Sequence, residues 1–285
     1  MNVCAMRGAE EIRLATPQGE LAAKCWGDPS HPPLLALHGW LDNAGSFDAL
    51  APLLAGQWHV VALDLRGHGR SAHLPPGVWY HYVDAFDDLA SAFAHFGWPK
   101  ATLLGHSLGA TLASLYAALH PERVSRLLLI EGLGPLSGSP DEALQRLRTG
   151  LDQRAGFASR RPLRVFATLE EAVGARMKAS GLSGAAARAI VARGVKAVPG
   201  GWNWSSDPRL TLASPLRFTE PEVLAMLGGI QAPTTLVLAE PATPYLPDET
   251  MARRAAQVAG IRVASLPGTH HLHLENAEGV ATLLQ

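Results

Sequence analysis

The sequence predicts an α/β fold with a mostly parallel central sheet, helices on both of its faces, and a helical lid inserted between two parts of the core. Three observations predict it. Short apolar runs alternate with stretches of helical period along most of the chain, the rhythm of parallel strands joined by crossover helices. One such run, residues 101–104, passes through Gly105-His106-Ser107-Leu108-Gly109 straight into a helix. Composition then changes around residues 132–140 and again at Gly228-Gly229, with no clearly alternating strand in between. Residues 1–131 and 229–285 are therefore assigned to the core and 132–228 to the lid.

The 285 residues suffice for one large domain or two small ones and for a sizeable buried core. A hydrophobic share of 47% against 17% charged residues predicts an ordered globular chain. A net charge of −1 gives no overall pull toward nucleic acid or an anionic membrane, and no basic stripe carries interleaved aromatics. Cys4 and Cys25 are too few for a disulfide framework and have no His or Cys partners at metal spacing, so they read as free thiols of a reducing compartment. Residues 1–11 lack the apolar core of a secretion signal, and no apolar run reaches the length of a membrane span. The expectation is a soluble cytoplasmic protein with no nucleic-acid or membrane partner; its oligomeric state is open.

Residues 11–15 and 20–26 flank Pro17-Gln18-Gly19 and read as a β-hairpin. Pro32-Pro33 leads into a buried strand at 34–37 that runs into His38-Gly39-Trp40. A loop and short helix over 43–54 precede a strand at 59–63, which opens into the glycine-spaced loop 64–71. That loop lacks the spacing and the Lys-Ser/Thr of a phosphate cradle, so Arg66 and His68 are read as structural. Val83, Phe86, Leu89, Ala90, Phe93 and Phe96 keep a helical period, predicting an amphipathic helix over 83–96. The strand at 101–104, its helix, and a strand at 124–130 complete the first part of the core. In the insertion, helices are predicted at 141–151, 169–179, 185–198 and 220–227, the last opened by the capping box Thr219-Glu-Pro-Glu222. A strand at 233–239, a helix at 247–259 capped by Asp248, a strand at 261–266 and a closing helix at 276–284 return to the core.

Residues 141–200 carry eleven Lys and Arg against five Asp and Glu. This excess is read chiefly as solvated helix faces, with attraction of an acidic substrate or its carrier as the sharper alternative. Trp202 and Trp204 share one side of the chain and have two open readings, lining a substrate pocket or anchoring the lid.

The chemistry centres on Ser107. Glycines two residues either side let strand and helix close around a tight turn that holds the serine strained and exposed. The first amides of the following helix and the positive end of its dipole then face any negative charge that develops there. His38-Gly39-Trp40, one strand earlier, brings the Trp40 N–H into the same space as the Leu108 N–H. Two such donors make an oxyanion hole. His38 itself reads as a structural residue.

With these pieces placed, the chain resembles the α/β-hydrolase superfamily over nearly its whole length, through His38-Gly39-Trp40, residues 64–71, 105–109 and 268–275. The stretches 38–44 and 131–137 further resemble its serine hydrolase-like branch. The resemblance implies a nucleophile, acid and histidine in that chain order. His270, followed five residues later by Glu275, matches the family's histidine; His271 and His273 fall beside it. A metal site of His270, His271, His273 and Glu275 would need consecutive ligands without a second cluster and is disfavoured. No cofactor is implied.

The acid departs from the family pattern, because Ala242 stands where most members have Asp. Two carboxylates compete for the role: Glu131, at an alternative acid position used by some members, and Glu240, slightly early on the usual strand. Glu131 is favoured. The resemblance implies hydrolysis of a small or medium carboxylic ester through an acyl-enzyme. A thioesterase or carbon-carbon hydrolase, and a non-catalytic ligand-binding protein on the same fold, are the alternatives.

Overall fold

The computed structural model describes residues 8–160 and 163–284, so Cys4 lies outside the described residues. The chain opens with the hairpin of β1 (Glu10–Leu14) and β2 (Leu21–Trp26). It continues through β3 (Pro33–Leu37), α1 (Ala51–Leu54), β4 (His59–Leu63), α2 (Ala85–Phe96), β5 (Ala101–His106), α3 (Leu108–Leu119) and β6 (Val124–Ile130). The insertion holds α4 (Ala143–Ala155), α5 (Leu169–Ser180), α6 (Gly184–Gly194), β7 (Val195–Val198), β8 (Gly201–Trp204) and α7 (Glu220–Leu227). The core resumes with β9 (Thr234–Glu240), α8 (Asp248–Ala255), β10 (Arg262–Pro267), α9 (Leu272–Glu275) and α10 (Ala277–Leu284).

Among the described residues, eight strands form one sheet in the order β1-β2-β4-β3-β5-β6-β9-β10. The β1–β2 and β2–β4 pairs are antiparallel and every later pair is parallel. Parallel strands covered on both faces need apolar residues at every position rather than at alternate ones. That is why Leu34 to Leu37 and Val60 to Leu63 read as unbroken apolar runs. Leu34 and Ala36 face Leu54 of α1 and Leu284 of α10, whereas Leu35 and Leu37 face the layer of Phe93 from α2 and Tyr116 from α3. The helix ends follow local chemistry. Gly97 closes α2 at φ 65° and Gly181 closes α5 at φ 67°, conformations that strain any residue with a Cβ.

The insertion differs from the sequence expectation in one respect. The helix expected to reach residue 198 stops at Gly194, and β7 and β8 form an antiparallel hairpin. Four residues are too few to show period two, but Pro199-Gly200-Gly201 was the available turn signal, with Gly200 at φ 87° and Gly201 at φ 141°. Asp248 also differs. It lies in the first turn of α8, after Pro247 at the cap position, and suits the helix dipole rather than capping an amide.

Polar contacts join the insertion to β1 and to loops at the carboxyl ends of β3 and β4. Arg193 of α6 pairs with Asp64 at 2.8 Å and with Glu11 at 2.6 Å. Arg176 of α5 pairs with Asp42, and Asn43 donates to the Ile190 carbonyl at 2.8 Å. These loops lie at the carboxyl ends of parallel strands, the end at which such sheets gather ligands.

Candidate active site

Between β5 and α3, Ser107 adopts φ 51° and ψ −111°, a region L-residues seldom occupy. Its N–H donates to the Ile130 carbonyl at 3.0 Å, and its own carbonyl accepts from Thr111 N–H at 3.0 Å, so β6 and α3 pin the bend from both sides. The flanking glycines are sterically required. A Cβ on Gly105 would sit 2.4 Å from the Gly109 carbonyl oxygen, and one on Gly109 would sit 1.9 Å from the Leu37 carbonyl oxygen. This approach presses the start of α3 against the end of β3. Leu108, as the first residue of α3, has no intrahelical carbonyl for its N–H. Trp40, just beyond β3, fixes its indole on the Leu210 carbonyl at 2.9 Å and lines the same cavity as Leu108.

One strand over, Glu131 follows β6 at φ 52°, buried to 2% exposure. Its Oε1 accepts the Ala239 N–H at 2.6 Å; its Oε2 accepts the Thr243 hydroxyl at 3.2 Å and lies 3.0 Å from His270 Nδ1. A carboxylate there requires the proton on Nδ1, which leaves Nε2 as the base. Tyr245 packs its ring edgewise on His270, and burial, with the Glu131 and Asp42 charges, pushes its phenol up to about 12.

Beneath His270 lies a buried polar layer. The His106 ring donates its Nε2–H to the His270 carbonyl at 2.8 Å. Asp42 Oδ2 stands 3.4 Å from His271 Nε2 and 3.7 Å from His106 Nδ1, while Oδ1 meets Arg176. Burial alone would raise the Asp42 carboxyl, but His271 and the Arg176 charge hold it well below the usual carboxylate range. Burial, reinforced by His273, His270 and His271, keeps His106 far below the ordinary histidine value. Burial, helped by His271, pushes His273 down to about 3; burial, helped by His38, does the same to His68. His38 donates Nδ1–H to the Gly39 carbonyl and accepts Leu65 N–H at Nε2, which fixes it as a neutral imidazole tying β3 to β4.

These depressed values set a pH dependence. Between the unfolded value of about 6.5 and the lower folded values, the unfolded chain binds more protons, so stability falls as pH drops. Each such imidazole contributes a slope of up to about 1.4 kcal/mol per pH unit. The urea midpoint is therefore expected to fall between about pH 7.5 and about pH 5. A flat midpoint over that span would mean the buried imidazoles protonate within the fold.

The model for the alpha/beta hydrolase fold family matches residues 32–215. The chain belongs to that family. It is 33% identical to a serine hydrolase-like protein of Danio rerio over 98% of this chain and 88% of that one. It is 32% identical to a probable serine hydrolase of Drosophila melanogaster over 95% of this chain and 85% of that one. This places it in the serine hydrolase-like branch of α/β hydrolases. Among solved structures, a hypothetical protein of Pseudomonas aeruginosa superposes with a TM-score of 0.91 at 42% identity, covering 96% of this chain and 98% of that one. A thioesterase domain from the curacin biosynthetic pathway superposes at 0.84 with 29% identity, covering 98% and 99%.

Against this family frame, the expected residues divide. Glu131 and His270 are joined by the 3.0 Å contact above, and Ser107 stands at the end of β5, the strand that pairs with β6 ahead of Glu131. Glu240 does not join them; its side chain is exposed, and its carbonyl accepts Gly268 N–H at 3.2 Å. Trp202 and Trp204 do not line the cavity beside Trp40 and Leu108. They pack with Phe166, Val173 and Ile190 inside the insertion, Trp204 edge-on to Phe166 at 5.2 Å, because residues two apart on a strand share a face. The three C-terminal histidine rings gather around His106, at 4.1–5.1 Å between ring centroids, but take different partners, His270 Glu131, His271 Asp42 and His273 Phe47. Among the described residues no group of three or more His, Cys, Asp or Glu is arranged to hold a metal ion. No described helix is long and apolar enough to cross a membrane.

The cavity beside Trp40 and Leu108 has a volume of about 220 Å³ and is walled by Trp79, Tyr80, Leu112 and Leu210, none of them read as a cavity residue from the sequence. Thr243 and Asp42 were also missed. Thr243 had a signal, since it directly follows the position where the family's acid is absent.

Proposed function

We propose that this protein is a serine hydrolase that cleaves a carboxylic ester of a small or medium acyl substrate through an acyl-enzyme. The observation that carries this reading is the 3.0 Å contact of buried Glu131 with His270 Nδ1, in a chain whose neighbouring strand ends in a strained serine. His270 Nε2 takes the Ser107 hydroxyl proton as Oγ attacks the carbonyl carbon. The Trp40 and Leu108 amides hold the oxyanion, and Glu131 stabilises the imidazolium without being protonated. The tetrahedral intermediate collapses, and His270 returns the proton to the departing alcohol. Water, deprotonated by His270, then attacks the acyl carbon, and the acid leaves as Ser107 recovers its proton. Residues 132–228 act as a lid that limits water in the site. A nucleophilic serine suits acyl transfer; opening an alkyl halide or epoxide through an alkyl ester calls for a carboxylate instead.

A thioester substrate is the second reading, favoured by the 29% identity to the thioesterase domain along nearly the whole chain. Both readings share one test. A fluorophosphonate probe is expected to label wild-type protein on the peptide containing Ser107 and to leave Ser107→Ala unlabelled. A folded wild type that stays unlabelled would favour the non-catalytic, ligand-binding alternative. Matched esters and thioesters then distinguish the two substrates by kcat/KM.

A further inference from the structure

Three arginines, Arg66, Arg154 and Arg209, reach the wall of the cavity lined by Trp40 and Leu108, the residue after Ser107, and they differ in what they hold. Arg66 is committed to Asp88 at 2.6 Å, the Gln18 carbonyl and the Thr16 hydroxyl. Arg209 pairs with Asp207 at 2.6 Å and donates to the carbonyls of Leu74, Pro75 and Val78. Both tie loops together. Arg154, on α4 of the insertion, has no carboxylate within ion-pair distance among the described residues. Its guanidinium lies over the Trp79 ring at 5.4 Å, and its one hydrogen-bonding contact among the described residues is His81 Nε2 at 3.4 Å. Stacking on an indole holds the planar fork in place while leaving most of its five N–H donors for something else.

Among the described residues, the one other carboxylate or guanidinium on this wall without an ion pair is Asp84, an exposed residue whose carboxylate already accepts the His81 N–H at 3.2 Å. The remaining wall is dominated by aromatic and leucine side chains. Such a site suits a chain that is apolar along its length and anionic at its end. A carboxylate matches the fork with two parallel hydrogen bonds and carries less charge into an apolar cavity than a phosphate dianion would.

We propose that Arg154 is a specificity-determining residue that binds a carboxylate at the far end of the acyl chain, so that the preferred substrate is the half-ester or half-thioester of a dicarboxylic acid. This rests on the serine hydrolase reading for its reaction, but the binding step can be tested without turnover. The test uses two probe pairs. The first is the p-nitrophenyl half-ester of a linear dicarboxylic acid and its methyl-ended analogue of equal length; the second is the corresponding unreactive monoamides, measured by calorimetry on the full chain. The wild type is expected to favour the carboxylate member tenfold or more in both pairs. Arg154→Gln is expected to bring both ratios close to one, with Arg154→Lys recovering part of the preference. Equal ratios in the wild type, or a preference that survives Arg154→Gln, would overturn the inference. Carboxylate-selective binding of the amide, without turnover of either ester, would support it while removing the hydrolase reading.

Discussion

Ser107→Ala is expected to lower kcat on any ester substrate by a factor of about 10⁵ to 10⁶, because a nucleophile and its base act as a unit and losing either removes nearly the whole effect of both. His270→Ala should fall to a similar residual rate, and the double variant little further. The variants separate chemistry from folding. Ala keeps a Cβ at φ 51°, so Ser107→Ala leaves the backbone strain in place. Ser107→Gly removes that strain and is expected to raise stability by roughly 1 kcal/mol while remaining as inactive as Ser107→Ala. Initial rates on a p-nitrophenyl ester, with urea midpoints for the three proteins, give both readouts. A Ser107→Ala protein retaining more than about a hundredth of wild-type kcat would place the nucleophile elsewhere. A Ser107→Gly protein no more stable than wild type would show that the elbow holds no strain to release.

The elbow was legible because its chemistry is local. Two glycines, a serine and an apolar strand before them suffice to specify a bend that only small residues permit, and the Cβ distances at Gly105 and Gly109 give the steric reason. The parallel core was legible for a related reason, since strands buried on both faces leave unbroken apolar runs. What was not legible depends on contacts across the fold. Arg176 meets Asp42 from 134 residues away, and nothing in either neighbourhood announces the pair. Trp202 and Trp204 show the converse. Their spacing correctly gave a common face, but which layer the face meets was decided by Phe166, a partner on a separate segment. His106 lay in plain view inside the elbow motif. Its bond to the His270 carbonyl appears only once α9 folds back toward the end of β5.

Position alone left two carboxylates for the acid, and of the two it is Glu131 that contacts His270. Glu131→Gln is expected to lower kcat by about 10⁴ with little change in KM, through the wrong histidine tautomer. The reason lies in the Ala239 N–H, which donates to Oε1 at 2.6 Å. A glutamine must keep its carbonyl oxygen on that donor, which turns its NH₂ toward His270. His270 Nδ1 then has to accept, its proton moves to Nε2, and the nitrogen proposed to take the Ser107 proton can no longer do so. Glu131→Asp keeps the charge but falls a methylene short of holding both Ala239 N–H and His270, so an intermediate loss is expected. Glu240→Gln, on an exposed side chain with no hydrogen bond to His270, should change kcat less than about twofold. Steady-state kinetics on the three variants, alongside their fluorophosphonate labelling rates, decide the matter. Glu131→Gln within tenfold of wild type would remove it from the triad, and a large loss in Glu240→Gln would move the role to β9.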